Sequence, residues 1–236
     1  MALKAGNLAT AVYTRFHQLG GMEDLEEAII CRRKALDLQP LGHPDRPSSL
    51  SDLAGVITIR FRHSRSSNDF LDAVKHCSEA KNILPSGDPY QSAIGSRLAS
   101  ILLMQYDIIP ELEHESIRGM TNAFDLFEQA VNHSPASVKG RFERAVIWAR
   151  EAHQRDHLSA VKAYTKSLTL LGRRLVLAPT IESQQIRLAT VPKALALDAA
   201  SCSINRREFR SAIELLEQED IRRVAHSPNA EVRHMM

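Results

Sequence analysis

Three cysteines and ten histidines are the side chains of this 236-residue chain best suited to covalent or metal chemistry. A nucleophilic site needs a thiolate beside an imidazole base, both held by a scaffold. Cys31 and Cys77 instead occupy the same face of two similar amphipathic stretches, and Cys202 closes an Ala-rich helical run. Each reads as a small core residue. His43 precedes Pro44 in a turn, while His63, His133, His153 and His157 fall at or near expected helix ends, where a cation suits the helix dipole. No His-Glu-x2-His pairing occurs, and the cysteines are too few and too far apart for a zinc site or a disulfide framework. The sequence therefore predicts no catalytic residue, no cofactor and no metal.

The elements carrying these residues repeat. An alanine, a second alanine seven residues on and a proline five residues later recur as Ala28, Ala35, Pro40; Ala73, Ala80, Pro85; and Ala123, Ala130, Pro135. The first two copies are offset by 45 residues over a long register: Leu8-Ala9 matches Leu53-Ala54, Arg15-Phe16 matches Arg60-Phe61, and Asp24-Leu25 matches Asp69-Phe70. Leu98-Ala99 and Trp148-Ala149 continue the series, and a fourth copy reads Ala160, Ser167, Gly172. A fixed period means stacked copies of one unit.

Each unit reads as two helices. Leu50, Leu53, Ala54, Ile57 and Phe61 follow the spacing of one helical face, with Asp45, Ser48 and Ser49 around Pro47 suited to the start. Phe70, Ala73, Val74, Cys77, Ala80 and Leu84 form a second face, ended by Pro85. Ala73 and Ala80 let a neighbouring helix approach closely. The prediction is an all-α solenoid of about five antiparallel helix pairs near 3–38, 45–84, 90–133, 137–171 and 181–218, followed by a poorly ordered tail over 219–236. The extra residues between Tyr106 and Ala123 are expected to lengthen a loop, and Gly172 to cap a helix in the left-handed conformation.

Composition agrees with a soluble helical protein, for which the cytoplasm is the expected location: 44% of residues are apolar, and only ten Gly and ten Pro are present. No apolar run reaches the roughly 18 to 20 residues of a membrane span, and the first residues lack a signal-peptide apolar core. The net charge is +2, yet residues 137–210 hold fourteen Lys and Arg against six Asp and Glu. That stretch suits either an acidic partner or solvated helix faces. Without stacking aromatics or a reading motif, nucleic acid is disfavoured as a partner.

The Ala, Ala, Pro spacing resembles the tetratricopeptide (TPR) family, although TPR units run about 34 residues and the period here is 45. A narrower resemblance rests on Leu25-Glu-Glu-Ala-Ile, on Ala35 to Arg46 with the Ser-Ser-Leu-Ser-Asp-Leu-Ala run that ends at Ala54, on Arg60-Phe61, on Trp148-Ala149-Arg150 and on Ser211 to Gln218. These strings look like the TPR-like arrays of fungal proteins that precede a CHAT domain, a caspase-like cysteine peptidase. The likeness stops at Gln218, so the chain is expected to lack the peptidase.

In such arrays the first helices line a concave groove. Aligned on the Leu-Ala pair, one column reads Thr10, Gly55, Ser100, Arg150, a second Tyr13, Thr58, Leu103, His153, and a third Gly6, Ser51, Ser96, Val146. The Lys, Asn and Arg set with which some TPR domains clamp a C-terminal carboxylate is not reproduced. The expected partner is a protein or peptide lying on a neutral floor, anchored by Tyr13 and flanked by Arg150 and His153. The first helix pair, entered almost directly from Met1, is expected to expose an apolar end and to self-associate. The expected function is a non-enzymatic interaction scaffold. The alternatives are the regulatory part of a CHAT-type peptidase or, more weakly, a basic surface for nucleic acid or anionic lipid.

Overall fold

All six repeat alanines, Ala28, Ala35, Ala73, Ala80, Ala123 and Ala130, are buried, as are Ala160 and Ser167 of the fourth copy. A missing side chain at these points allows helix axes to come close, and the packing that results defines the architecture. The computed structural model describes residues 2–108 and 113–224. Among them are eleven helices and no strand. They are α1 (Ala2–Leu19), α2 (Met22–Asp37), α3 (Arg46–Ser64), α4 (Ser67–Ile83), α5 (Tyr90–Ile108), α6 (Glu113–Asn132), α7 (Val138–Gln154), α8 (Ala160–Val176), α9 (Ile181–Ala189), α10 (Leu195–Asn205) and α11 (Phe209–Val224).

The chain divides into two compact units, Met1–Ala130 and Val131–Met236. In the first, α1 packs on α2 and α3 on α4, while α2 also meets α3 and α4 also meets α5. One apolar core runs through these helices, from Val12 and Phe16 of α1 through Leu50, Leu53 and Ile57 of α3 to Ile94 and Ile101 of α5. In the second unit α7 pairs with α8 and α10 with α11, and α8 also contacts α9 and α10. Trp148 is wholly buried there, and its Nε1–H donates to Ser159 Oγ at 3.0 Å.

Several expectations change. The helix expected over 181–203 is two helices, because Pro192 lacks an N–H and disfavours helical geometry at the preceding residue. Gly172 lies inside α8 and is not among the positive-φ glycines; buried Leu170, Leu171 and Arg174 carry the helix past it to Val176. Of the expected long loop, residues 109–112 lie outside the described residues, and α6 already begins at Glu113. The expected tail lies outside them from residue 225 onward, and α11 continues to Val224. Asp45, the residue before α3, makes no side-chain cap bond; Ser48 Oγ instead donates to the Asp45 carbonyl at 2.8 Å.

Two sets of polar contacts recur with the period. Arg15 and Arg60, near the ends of α1 and α3, each form a forked pair with the aspartate nine residues on. Arg15 Nε and Nη2 reach Asp24 at 2.9 and 2.5 Å, and Arg60 Nε and Nη2 reach Asp69 at 3.0 and 2.6 Å. Each aspartate stands in the first turn of a second helix, where a carboxylate also favours the dipole. In addition Arg60 contacts Glu26 of the preceding pair at 2.7 Å. The second set ties each first helix to the end of the second helix before it. Arg46 donates to the Gln39 carbonyl at 2.7 Å, Gln91 to the Lys81 and Leu84 carbonyls at 2.9 and 2.8 Å, and Arg141 to the Val131 carbonyl at 2.7 Å.

Arg60 and Asp69 are mostly buried, whereas half of the Arg15 side chain is exposed. Asp69→Ala therefore costs about 3 kcal/mol and lowers Tm by roughly 6 to 12 °C, whereas Asp24→Ala costs less. Thermal unfolding of the two variants checks the order. A second test concerns His76 of α4, whose buried Nδ1 lacks a hydrogen-bond partner. Burial holds its imidazole below the ordinary 6.5, helped by Lys75 and Arg33 and opposed by Asp72 and Glu79. The unfolded chain takes up that proton first, so this contribution is fully present above pH 6.5 and is lost as pH falls toward the folded value. His76→Gln should flatten the fall in Tm between about pH 7.5 and 5.5.

Candidate functional site

The predicted groove residues separate into accessible and buried groups. On α1, α3 and α5, Thr10 is exposed, and Tyr13, Thr58 and Ser100 are half-buried. Ser51, Ser96 and Leu103 are buried and present no surface to a partner, contrary to expectation. A first helix is flanked by a second helix and by the neighbouring first helix, so its open stripe is narrower than one contact face would leave. The hydroxyls on the stripe are spent as donors. Thr10, Thr58 and Ser100 each bond the carbonyl four residues earlier in their own helix, at 3.0, 2.6 and 3.1 Å. They keep lone pairs for an incoming donor.

The floor is not neutral. Arg97 of α5 lays its guanidinium over Gly55 of α3, at the place a Cβ would occupy, and Nη1 donates to the Ser51 carbonyl at 2.7 Å. No described carboxylate pairs with it. Arg97 and Arg32 lie near enough to Tyr13 to favour its phenolate, against burial and Asp52, which raise its pKa; burial dominates and the net shift is upward. Arg32 itself pairs with Asp52 at 3.0 Å. The sequence columns missed Arg97 because they followed one register only. The available signal was Gly55, since a glycine amid a helical pattern marks a close approach by another group.

Arg150 and His153 belong to the second unit. Arg150 is exposed and contacts Glu151 at 3.2 Å. His153 turns toward the second helix of its pair: its Nδ1 and the Tyr164 hydroxyl are 2.8 Å apart, and the rings meet edge to face at 5.7 Å. Burial, followed by Asp198 and Cys202, pushes the Tyr164 hydroxyl well above its ordinary pKa. His153 therefore serves the α7/α8 contact, which corrects its assignment to the groove. Nearby, Ser159 Oγ accepts from Trp148 and lies 2.8 Å from His157 Nδ1, which accepts the Ser159 backbone N–H at 3.2 Å.

All three cysteines are buried and free. Burial pushes the Cys77 thiol up to about 12 and also raises Cys202. Such thiols stay protonated at neutral pH and are poor nucleophiles. Among the described residues no group of three or more His, Cys, Asp and Glu could hold a metal ion, and no helix is long and apolar enough to cross a membrane.

The backbone can be compared with solved structures. No family model matches the chain, and no curated protein matches it in sequence. A crystal structure of a kinesin light chain-like protein of Podosopora anserina with nearly identical TPR-like repeats is similar over 97% of this chain and 99% of that one, at TM-score 0.53 and 17% identity. The crystal structure of a substituted form of that protein is similar over 98% and 95%, at TM-score 0.52 and 18% identity. The fold is that of TPR-like repeats. At these identities the likeness concerns the backbone, and the TPR-like α-solenoid predicted from the alanine spacing is the architecture found.

Gly55→Ala tests the Arg97 contact. The added methyl evicts the guanidinium from the Ser51 carbonyl, at a cost of about 1 kcal/mol, while alanine gains about 1 kcal/mol of helix propensity. Tm should stay nearly unchanged, and the Arg97 Nη hydrogens should exchange faster by NMR.

Proposed function

We propose that the chain is a non-enzymatic protein-interaction scaffold, with its TPR-like array over residues 1–218 and its docking face on α1, α3 and α5. The observation that carries this reading is Arg97. On a face where Thr10, Thr58 and Ser100 already donate to their own helix, this guanidinium has, among the described residues, only a backbone carbonyl as hydrogen-bond partner. A partner segment crossing α3 meets a donor beside the half-buried ring of Tyr13, with small residues Thr10, Thr58 and Ser100 around it. An extended peptide supplies carbonyls for Arg97 and apolar area for Tyr13. TPR-like repeats commonly serve as interaction scaffolds, which supports the same conclusion. The sequence strings shared with arrays that precede CHAT domains support a recruitment role beside a cysteine peptidase as the finer form of this reading.

Affinity capture with the full chain, quantified by mass spectrometry, tests the face. Tyr13→Ala combined with Arg97→Glu should deplete specific partners about tenfold or more, whereas Lys75→Glu on exposed α4 should leave them bound. Equal capture by all three proteins would remove α1, α3 and α5 as the docking face.

A further inference from the structure

A cleft of about 290 Å³ in the second unit is lined by Val138 and Lys139 at the start of α7, by Arg174 and Leu177 at the end of α8, and by Arg187 of α9. Three of its five lining side chains are cationic. Arg174 is only 8% exposed. Its guanidinium lies over the Phe142 ring at 5.6 Å, and Nη1 donates to Thr190 Oγ1 at 3.0 Å. Neither contact neutralises its charge. Arg187 is likewise held by a neutral group, the Arg174 carbonyl. Lys139 faces Glu143 across 3.9 Å, with both side chains more than half exposed, so that pairing is weak. No described carboxylate pairs with Arg174 or Arg187.

A guanidinium nine-tenths withdrawn from water normally sits opposite an anion, because the lost hydration must be offset. The surroundings reinforce the demand. Ser137 Oγ caps α7 by accepting the Gly140 N–H at 3.1 Å, and the first-turn amides of a helix have no acceptor within it. These amides and the dipole add positive potential at Val138 and Lys139. Arg144 lies against Gly140, and the pKa of Arg141 is pulled down by burial and by neighbouring Arg173. Between residues 137 and 190 there are ten Lys and Arg against four Asp and Glu.

We propose that this cleft binds the phosphate-monoester group of a phosphorylated segment of a partner protein. Arg174 and Arg187 carry two unpaired positive charges and Lys139 a third, partly countered by Glu143. A phosphate monoester carries close to two negative charges at neutral pH and offers three acceptor oxygens to forked donors. A single carboxylate would leave the cleft with excess positive charge. Val138 and Leu177 provide apolar contact for the residue beside the phosphorylated one. The proposal goes beyond the α1, α3 and α5 face and stands or falls independently of it.

The test uses the full chain at low salt and a six-residue peptide, Ala-Ala-Val-Ser-Leu-Ala, phosphorylated or not on its serine, by calorimetry and backbone NMR. The phosphopeptide should bind at least about tenfold more tightly than the plain peptide and shift the Val138, Lys139 and Arg187 amides. Inorganic phosphate should displace it. Lys139→Glu, at an exposed position, should weaken it about tenfold with Tm unchanged, and Arg187→Gln should do the same. Tyr13→Ala should leave it intact. Equal binding of the two peptides, or full binding by Lys139→Glu, would overturn the proposal. Inorganic phosphate binding with no advantage for the phosphopeptide would also overturn it, pointing to a free anion as the ligand.

Discussion

The last carbonyls of a helix have no donor within it, and within the units α2, α4 and α8 each end against the helix that follows. A side chain from the next helix donates to those carbonyls. Arg46, Gln91 and Arg141 stand seven residues before Leu53, Leu98 and Trp148, and each bonds a carbonyl at the end of the preceding second helix. Arg187 repeats the arrangement with the Arg174 carbonyl. Arginine satisfies the carbonyl and also complements the negative end of the dipole; glutamine satisfies the carbonyl alone. Within a unit, this bond fixes where one helix begins relative to the last, and so helps to fix which apolar residues face each other.

With that register set, a good part of the charge on the helices becomes structural. Arg15 and Arg60 are bound to Asp24 and Asp69, Arg32 to Asp52, Arg46 to Glu79, and Arg206 to Asp156 and the His157 carbonyl. These pairs join a first helix to its second, or one pair to the next. The balanced, interspersed charges of residues 1–108, twelve Lys and Arg against twelve Asp and Glu, therefore describe a stacking code and carry little information about ligands. Functional charge is what remains after the stack is satisfied.

The helix pairs were legible because alanine at fixed spacing has a strong packing meaning, and because Pro40, Pro85 and Pro135 mark where helices end. Gly172 misled because glycine both caps helices and fits inside them, and the buried residues around it decided the outcome. The accessible stripe of the first helices was legible only in part. Thr10, Tyr13, Thr58 and Ser100 are accessible, but Ser51, Ser96 and Leu103 are covered, since a one-dimensional alignment gives no width for the open stripe. His153 shared a column with Tyr13 yet found Tyr164 on the second helix. Side-chain direction within one register is a tertiary property, settled by the neighbour with the better hydrogen bond.

Arg97 and Arg174 are both guanidinium groups whose hydrogen-bond acceptors are neutral, but their settings demand different ligands. Arg97 lies half-buried across Gly55, still partly hydrated, where exchanging water for a peptide carbonyl costs little. Arg174 has lost nearly all its water and stands with two more cations around a cleft, where a carbonyl dipole leaves most of the electrostatic cost unrelieved. Under the two proposals, the same side chain reads backbone in one unit and full negative charge in the other. On that reading burial, more than residue type, sets which partner chemistry each proposed site favours.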